Sequence, residues 1–365
     1  MRSLALAFVL VALVGSCDSP PSVPDGPLAL SEWGLFADMS RQIPAPGVIP
    51  YDVISPLFSD YATKHRFIRV PPGQQMTVDA NGDFVFPEES VIVKTFGFLA
   101  DLRDPSSAER LIETRLLVRR EGRWQPLIYL YDADMHEARL SQYGTRVPVS
   151  WTNAAGNRVS ITYRVPDRIQ CSNCHGGADP VHLLGVRVRQ LDRMHDYGAA
   201  SGGVTNQLAH FVSIGILAAA PAPADRHALV DPFGTAEVGL RARSYLEANC
   251  AHCHRVNGGS DQSGLLLGIE ISDPLRLGVC KGPAAAGAGA AGRSYDVVPG
   301  DPDASIVVFR VESEVPGIKM PELPSVLHHA EGAALIREWI RTMPPYDCTR
   351  GPLDASLSTD AGVHD

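Results

Sequence analysis

The sequence predicts an α+β chain, with a β-rich, sandwich-like N-terminal domain followed by small, mainly α-helical domains built around a repeated Cys-x-x-Cys-His motif. Three observations carry that prediction. Short β-branched and aromatic runs, separated by turn residues, recur up to about residue 166. Apolar residues then switch to 3.6-residue spacing, and Cys-x-x-Cys-His occurs twice, at Cys171–His175 and Cys250–His254. The 365 residues are 45% hydrophobic and 20% charged, enough apolar material for more than one core, while 33 Gly and 29 Pro point to a loop-rich architecture. A net charge of −9 argues against nucleic acid as a partner, since phosphate binding needs a basic face.

Residues 1–17 read as a targeting segment. Arg2 precedes an apolar run from Leu4 to Val14, too short to span a bilayer of ~30 Å but of signal-peptide length. Val14-Gly15-Ser16-Cys17 looks like a bacterial lipobox, so Cys17 is expected to be lipidated and the protein to be periplasmic and membrane-anchored. Residues 18–30 form a Pro-rich tether. Residues 31–168 form the β-rich domain, with strands expected at Phe84–Phe86, Val91–Phe96, Leu116–Arg119, Leu127–Tyr131, Pro148–Trp151 and Val159–Tyr163. Asn81-Gly82, Glu121-Gly122 and the Asn153–Asn157 stretch supply the turns.

The first Cys-x-x-Cys-His segment covers 169–230, with a helix expected around Gln207–Ala219 and a linker at Pro221-Ala222-Pro223. The third unit covers 231–350. Its first helix, about Thr235–Asn249, puts Val238, Ala242, Tyr245 and Leu246 on one face. Its last, Ala330–Met343, does the same with Leu335, Ile336, Trp339 and Ile340, and Pro344-Pro345 stops it. Ala284–Gly292 reads as a flexible Ala/Gly loop, Val298–Pro302 as a turn, and 351–365 as a flexible tail. The run Ser59–His65 is either a surface loop or a small-molecule site.

The seven cysteines divide without remainder. One is the anchor, four belong to the two motifs, and Cys280 and Cys348 are left to pair in an oxidising compartment. In Cys-x-x-Cys-His the two thiols can add across the vinyl groups of haem while the adjacent His supplies an axial nitrogen. The motifs therefore imply two covalently bound haem c groups, held by Cys171 and Cys174 and by Cys250 and Cys253, with His175 and His254 as iron ligands. Zinc would need further ligands at suitable spacing, and a redox dithiol would be expected in a βαβ context. For the first iron the sixth ligand is open among His182, Met194, His195, His210 and a free position.

In the third unit a helix, the motif, a Gly-rich loop and then Lys319-Met320-Pro321, 66 residues after His254, precede the last helix. That order resembles class I cytochrome c, and the resemblance implies Met320 as the sixth ligand of the second iron. More widely, Val48–Val53, Pro56–Ala62, Val93–Phe96, Glu113–Leu116, Cys171–His175, Arg189–Leu191, Asn206–Leu208, Val298–Pro302 and Met320-Pro321 resemble a family of exported bacterial two-haem c-type cytochromes. It implies a protein passing single electrons between redox partners, a donor dehydrogenase or quinol-linked complex and a downstream acceptor. A dihaem peroxidase or oxidase with an open first haem is the alternative, and a redox sensor using the β-rich domain is a third.

Overall fold

The computed structural model describes residues 26–175, 182–322 and 325–351; Cys17, the start of the tether and the tail beyond 351 lie outside them. The N-terminal half is organised by one six-stranded antiparallel meander: β1 (Val48–Pro50), β2 (Thr63–Arg69), β3 (Val91–Leu99), β4 (Glu109–Arg120), β5 (Arg123–Tyr131) and β6 (Ala138–Ser141), each paired with its sequence neighbour. Glu121 and Gly122 join β4 to β5 with φ of 51° and 73°, the left-handed pair that a two-residue hairpin loop requires.

The central strand β3 is buried on both faces. Val91 and Val93 point to a core with Leu30, Trp33, Leu116 and Leu127, whereas Ile92 points to the opposite core with Val186, Val188, Leu191, Leu208 and Phe211. Phe98, nearer the end of the strand, packs on Trp151 and Tyr163 of a separate hairpin, β7 (Thr145–Thr152) and β8 (Arg158–Val165).

Three expectations are corrected here. The second layer is not the second sheet of a sandwich: it is the hairpin together with residues 183–217, which lay their apolar side chains on the meander. The first Cys-x-x-Cys-His segment consequently shares a core with the strands, and is no separate helical unit. The tether ends before residue 30, because Leu140 N donates to Leu28 O and Leu30 is fully buried.

Helix α1 (Arg168–His175) follows β8, and α2 (Gln207–Ser213) follows the ladder pairing Met194–Asp196 with Val204–Asn206. Helix α2 stops short of Ala219 because Gly215, at φ 78°, turns the chain so that residues 216–218 exchange backbone hydrogen bonds with Met76. The C-terminal core joins α3 (Val238–Asn249), α4 (Ile306–Glu312) and α5 (Ala330–Thr342). The α5 bounds match the periodicity to within one residue and α3 ends at Asn249 as expected but starts at Val238, three residues later, while α4 was hidden in a β-branched run, Ile306-Val307-Val308. A Cβ at Gly332 would come within 2.2 Å of the Tyr245 hydroxyl, so glycine is what lets α5 approach α3. Cys280 and Cys348 form the expected disulfide. Among the described residues no helix is long and apolar enough to cross a membrane.

The run Ser59–His65 is not a solvated surface loop: Thr63–His65 open β2, and Ser59–Ala62 belong with Ser55 and Phe58 to a bracket between the two halves. Ser55 Oγ donates to Ser244 O at 2.8 Å, Phe58 N to Asn249 Oδ1 at 2.8 Å, and Tyr61 Oη to Glu331 Oε2 at 2.8 Å. The Asp60 carboxylate, fully buried, accepts from Val326 N and Leu327 N, each at 2.8 Å. His329 stacks on Phe58 with ring centroids 4.2 Å apart, and its Nδ1 lies 3.1 Å from Tyr245 Oη. Burial pushes this imidazole down to about 4, with Glu331 opposing.

The sign of the pH effect follows. Between pH 6.5 and about 4 the unfolded imidazole is protonated and the folded one is not, so stability falls as pH drops through that window. Denaturant unfolding should show the wild type losing on the order of 2 kcal/mol more than His329→Phe between those pH values. Parallel losses in the two proteins would remove His329 from the account.

Candidate functional site

The first motif lies on α1, and local chemistry starts that helix. Asp167 and Gln170 exchange hydrogen bonds, Gln170 N to Asp167 Oδ1 at 2.7 Å and Asp167 N to Gln170 Oε1 at 3.1 Å, a reciprocal capping box. Cys171, Cys174 and His175 then form one wall of a cavity of about 510 Å³, within the size range of cofactor sites (~300–1,000 Å³). The face of the meander lines the same cavity, with Arg66, Ile92, Lys94, Arg115, Leu117 and Ile128. His175 Nδ1 donates to His182 O at 2.6 Å, which fixes the tautomer and leaves the Nε2 lone pair free to ligate. Burial pushes the His175 imidazole down to about 4, so it is neutral at physiological pH.

The second motif begins where α3 ends. Glu237 caps that helix by accepting from Leu240 N at 2.9 Å, and Cys250 N closes its last turn on Leu246 O. Cys250, Cys253 and His254 line a second cavity, of about 410 Å³, together with Ile306, Arg310, Val311 and Met320. His254 Nδ1 lies 3.3 Å from Ser263 Oγ, and the Leu265 carbonyl also bonds the imidazole. Burial lowers its pKa to about 4 against that bond. Met320 N donates to Arg310 O at 2.9 Å, while Arg310 Nε donates to Ile318 O at 2.9 Å; α4 thereby clamps the Met320 loop over the cavity. The Ala/Gly loop supplies Ala284–Ala286 to the same cavity.

The two motifs, 79 residues apart in sequence, meet in space. Cys174 lines both cavities, and its thiol hydrogen-bonds Cys253. That bond, together with burial, pushes Cys174 up to about 12, while the same bond holds Cys253 down. Burial alone pushes Cys250 up to about 12. All four motif cysteines are free thiols, with no disulfide inside either pair.

None of the four sequence candidates for the sixth position at His175 lines the first cavity. Met194 is 55% exposed. His210 stacks on Tyr197 with centroids 3.6 Å apart, and His195 meets the edge of the same ring. His182 contributes its backbone carbonyl to His175 instead. What sequence reading missed is a row of cations on the meander. Arg66 pairs with Lys94 and Lys94 with Arg115 in strand register, all three lining the cavity. Period-two alternation with Ile92 would have placed Lys94 on that face.

The donor set suits covalent haem. Each motif offers two thiols beside a neutral imidazole with one nitrogen bonded to protein, and each opens on a cavity of cofactor size; the second is also lined by the Met320 thioether. Compared with known protein families, curated proteins and solved structures, the chain has no match.

Proposed function

We propose that this chain is a two-haem c-type cytochrome of the periplasm, lipid-anchored through Cys17, that passes single electrons between redox proteins. The observation that carries the reading is the meeting of the two Cys-x-x-Cys-His motifs at Cys174 and Cys253, each motif walling its own cavity. Haem c bound at each motif supplies one-electron chemistry. Cys171, Cys174, Cys250 and Cys253 anchor it, His175 and His254 present one imidazole nitrogen each, and the walls exclude water. Met320 presents a soft thioether that favours the reduced metal. Because the motifs touch, an electron has a short path from one cavity to the other without leaving the protein. The donor is a dehydrogenase or quinol-linked complex, and the acceptor a downstream redox protein.

A reductive titration of the purified holoprotein tests this. The reading expects uptake of two electrons per chain in one-electron steps; a chain that takes up none contradicts it. Met320→Ala should lower one midpoint potential by on the order of 100 mV, leave the other within a small fraction of that, and open one site to CO.

A second reading has a specific observation behind it. Cys174, His252 and Cys253 bring three potential ligand atoms within 4.8 Å of one another, a set that could hold a zinc-type ion. No fourth ligand joins them among the described residues. Stoichiometric zinc with no covalent haem would favour it.

A further inference from the structure

We propose that Lys94 supplies the sixth ligand to the iron held at Cys171, Cys174 and His175. The inference rests on the haem reading of that motif and goes beyond it, since neither the motif nor the sequence pattern assigns a group to the distal side.

Two elements line the cavity. Helix α1 brings His175, with Nδ1 tied to His182 O so that Nε2 is the nitrogen left to ligate. The meander is the other, and its central strand β3 carries Lys94 on the face of Ile92. Besides His175, no His or Met among the described residues lines this cavity, so the sixth position falls to another donor or stays open.

The neighbouring cations are already engaged. Arg66 donates to Asp52 Oδ1 at 2.7 Å, and Arg115 grips Glu113 through two bonds of 2.9 and 2.6 Å. Lys94 stands between them and has no hydrogen bond or ion pair among the described residues; its one polar contact is with the Phe96 ring, 4.9 Å from Nζ. An ammonium there would be a third positive charge in a row, and the nearby Glu113 carboxylate is already held by Arg115. An amine relieves that repulsion and offers the lone pair that an iron takes. Tyr51 and Tyr143 also line the cavity, but Tyr143 is 78% exposed, and a Tyr51 phenol would have to ionise where it is buried.

The rival role for the same side chain is an ammonium paired with the haem carboxylates, and spin state separates the two. The test is EPR and optical spectroscopy of the purified two-haem protein, wild type against Lys94→Ala and Lys94→Met. In the wild type both irons should be low-spin and resist CO. Lys94→Ala should convert one of the two to a high-spin, CO-binding form, and added n-butylamine should return it to low spin. Lys94→Met, close to lysine in volume, should instead give a thioether-ligated low-spin signature at that site, and serves if the alanine variant does not fold. A Lys94→Ala protein that stays fully low-spin and inert to CO, or a Lys94→Met protein with unchanged spectra, overturns the assignment while leaving the two-haem reading standing. Absence of covalent haem from the first motif removes the reading and the inference together.

Discussion

Serine at both Cys250 and Cys253 should yield a chain carrying one covalent haem instead of two. Each thioether needs its own sulfur, and a hydroxyl cannot replace a thiol in that addition. The remaining haem should be the one at Cys171 and Cys174, so the surviving spectrum should lack the features that Met320 gives to the second site. The matching Cys171→Ser/Cys174→Ser protein should keep the Met320-ligated haem alone. Pyridine haemochrome assay per mole of chain reads both outcomes. Two haems retained in either double variant would mean that the motif is not the attachment point. The two variants are also expected to differ in stability. The first cavity shares its surroundings with the meander core, through Ile92, Leu117 and Val186, whereas the second is lined by the C-terminal unit and Cys174.

Asp60→Ala should cost about 3 kcal/mol of stability and disturb the second haem, although Asp60 lines neither cavity. Its carboxylate is the acceptor for Val326 N and Leu327 N, and alanine would orphan both donors in a buried setting. Those residues continue the loop that carries Met320. Lys319 ties the same loop to itself, with Nζ donating to Ser325 Oγ at 2.9 Å. Asp60 also sits at φ 54°, a left-handed conformation that alanine tolerates poorly and asparagine accepts. Asp60→Asn should therefore retain most of the stability that Asp60→Ala loses. Chemical denaturation checks the stability, and the near-infrared sulfur-to-iron charge-transfer band checks Met320. An Asp60→Ala protein with wild-type stability and an intact band would show that the bracket does not hold the loop.

Much of this organisation was legible in the residues. Glu121-Gly122 marked a tight turn, the apolar spacing in Ala330–Met343 marked a helix face, and the two leftover cysteines marked a disulfide. Each is a local signal, set by backbone conformation or by periodicity. Long-range placement was not legible. The alternation of Val91, Ile92 and Val93 reveals a strand buried on both faces, yet it does not say that one cover is the segment after Cys171. The polar run Ser59–His65 looked solvated because Asp, Tyr and Lys usually are; its partners, Val326, Leu327 and Glu331, lie some 270 positions along the chain. The histidines close to Cys171 in sequence drew attention as ligands, whereas the unengaged donor in the cavity comes from β3, about 80 positions before the motif.

The most direct test of the central claim is the intact mass of the protein, purified from a host that exports it and attaches haem c. The account predicts the mass of the mature chain plus two haems, with the increments mapping to peptides that contain Cys171–Cys174 and Cys250–Cys253. A mass equal to the bare chain, with free thiols at those four positions, would contradict it.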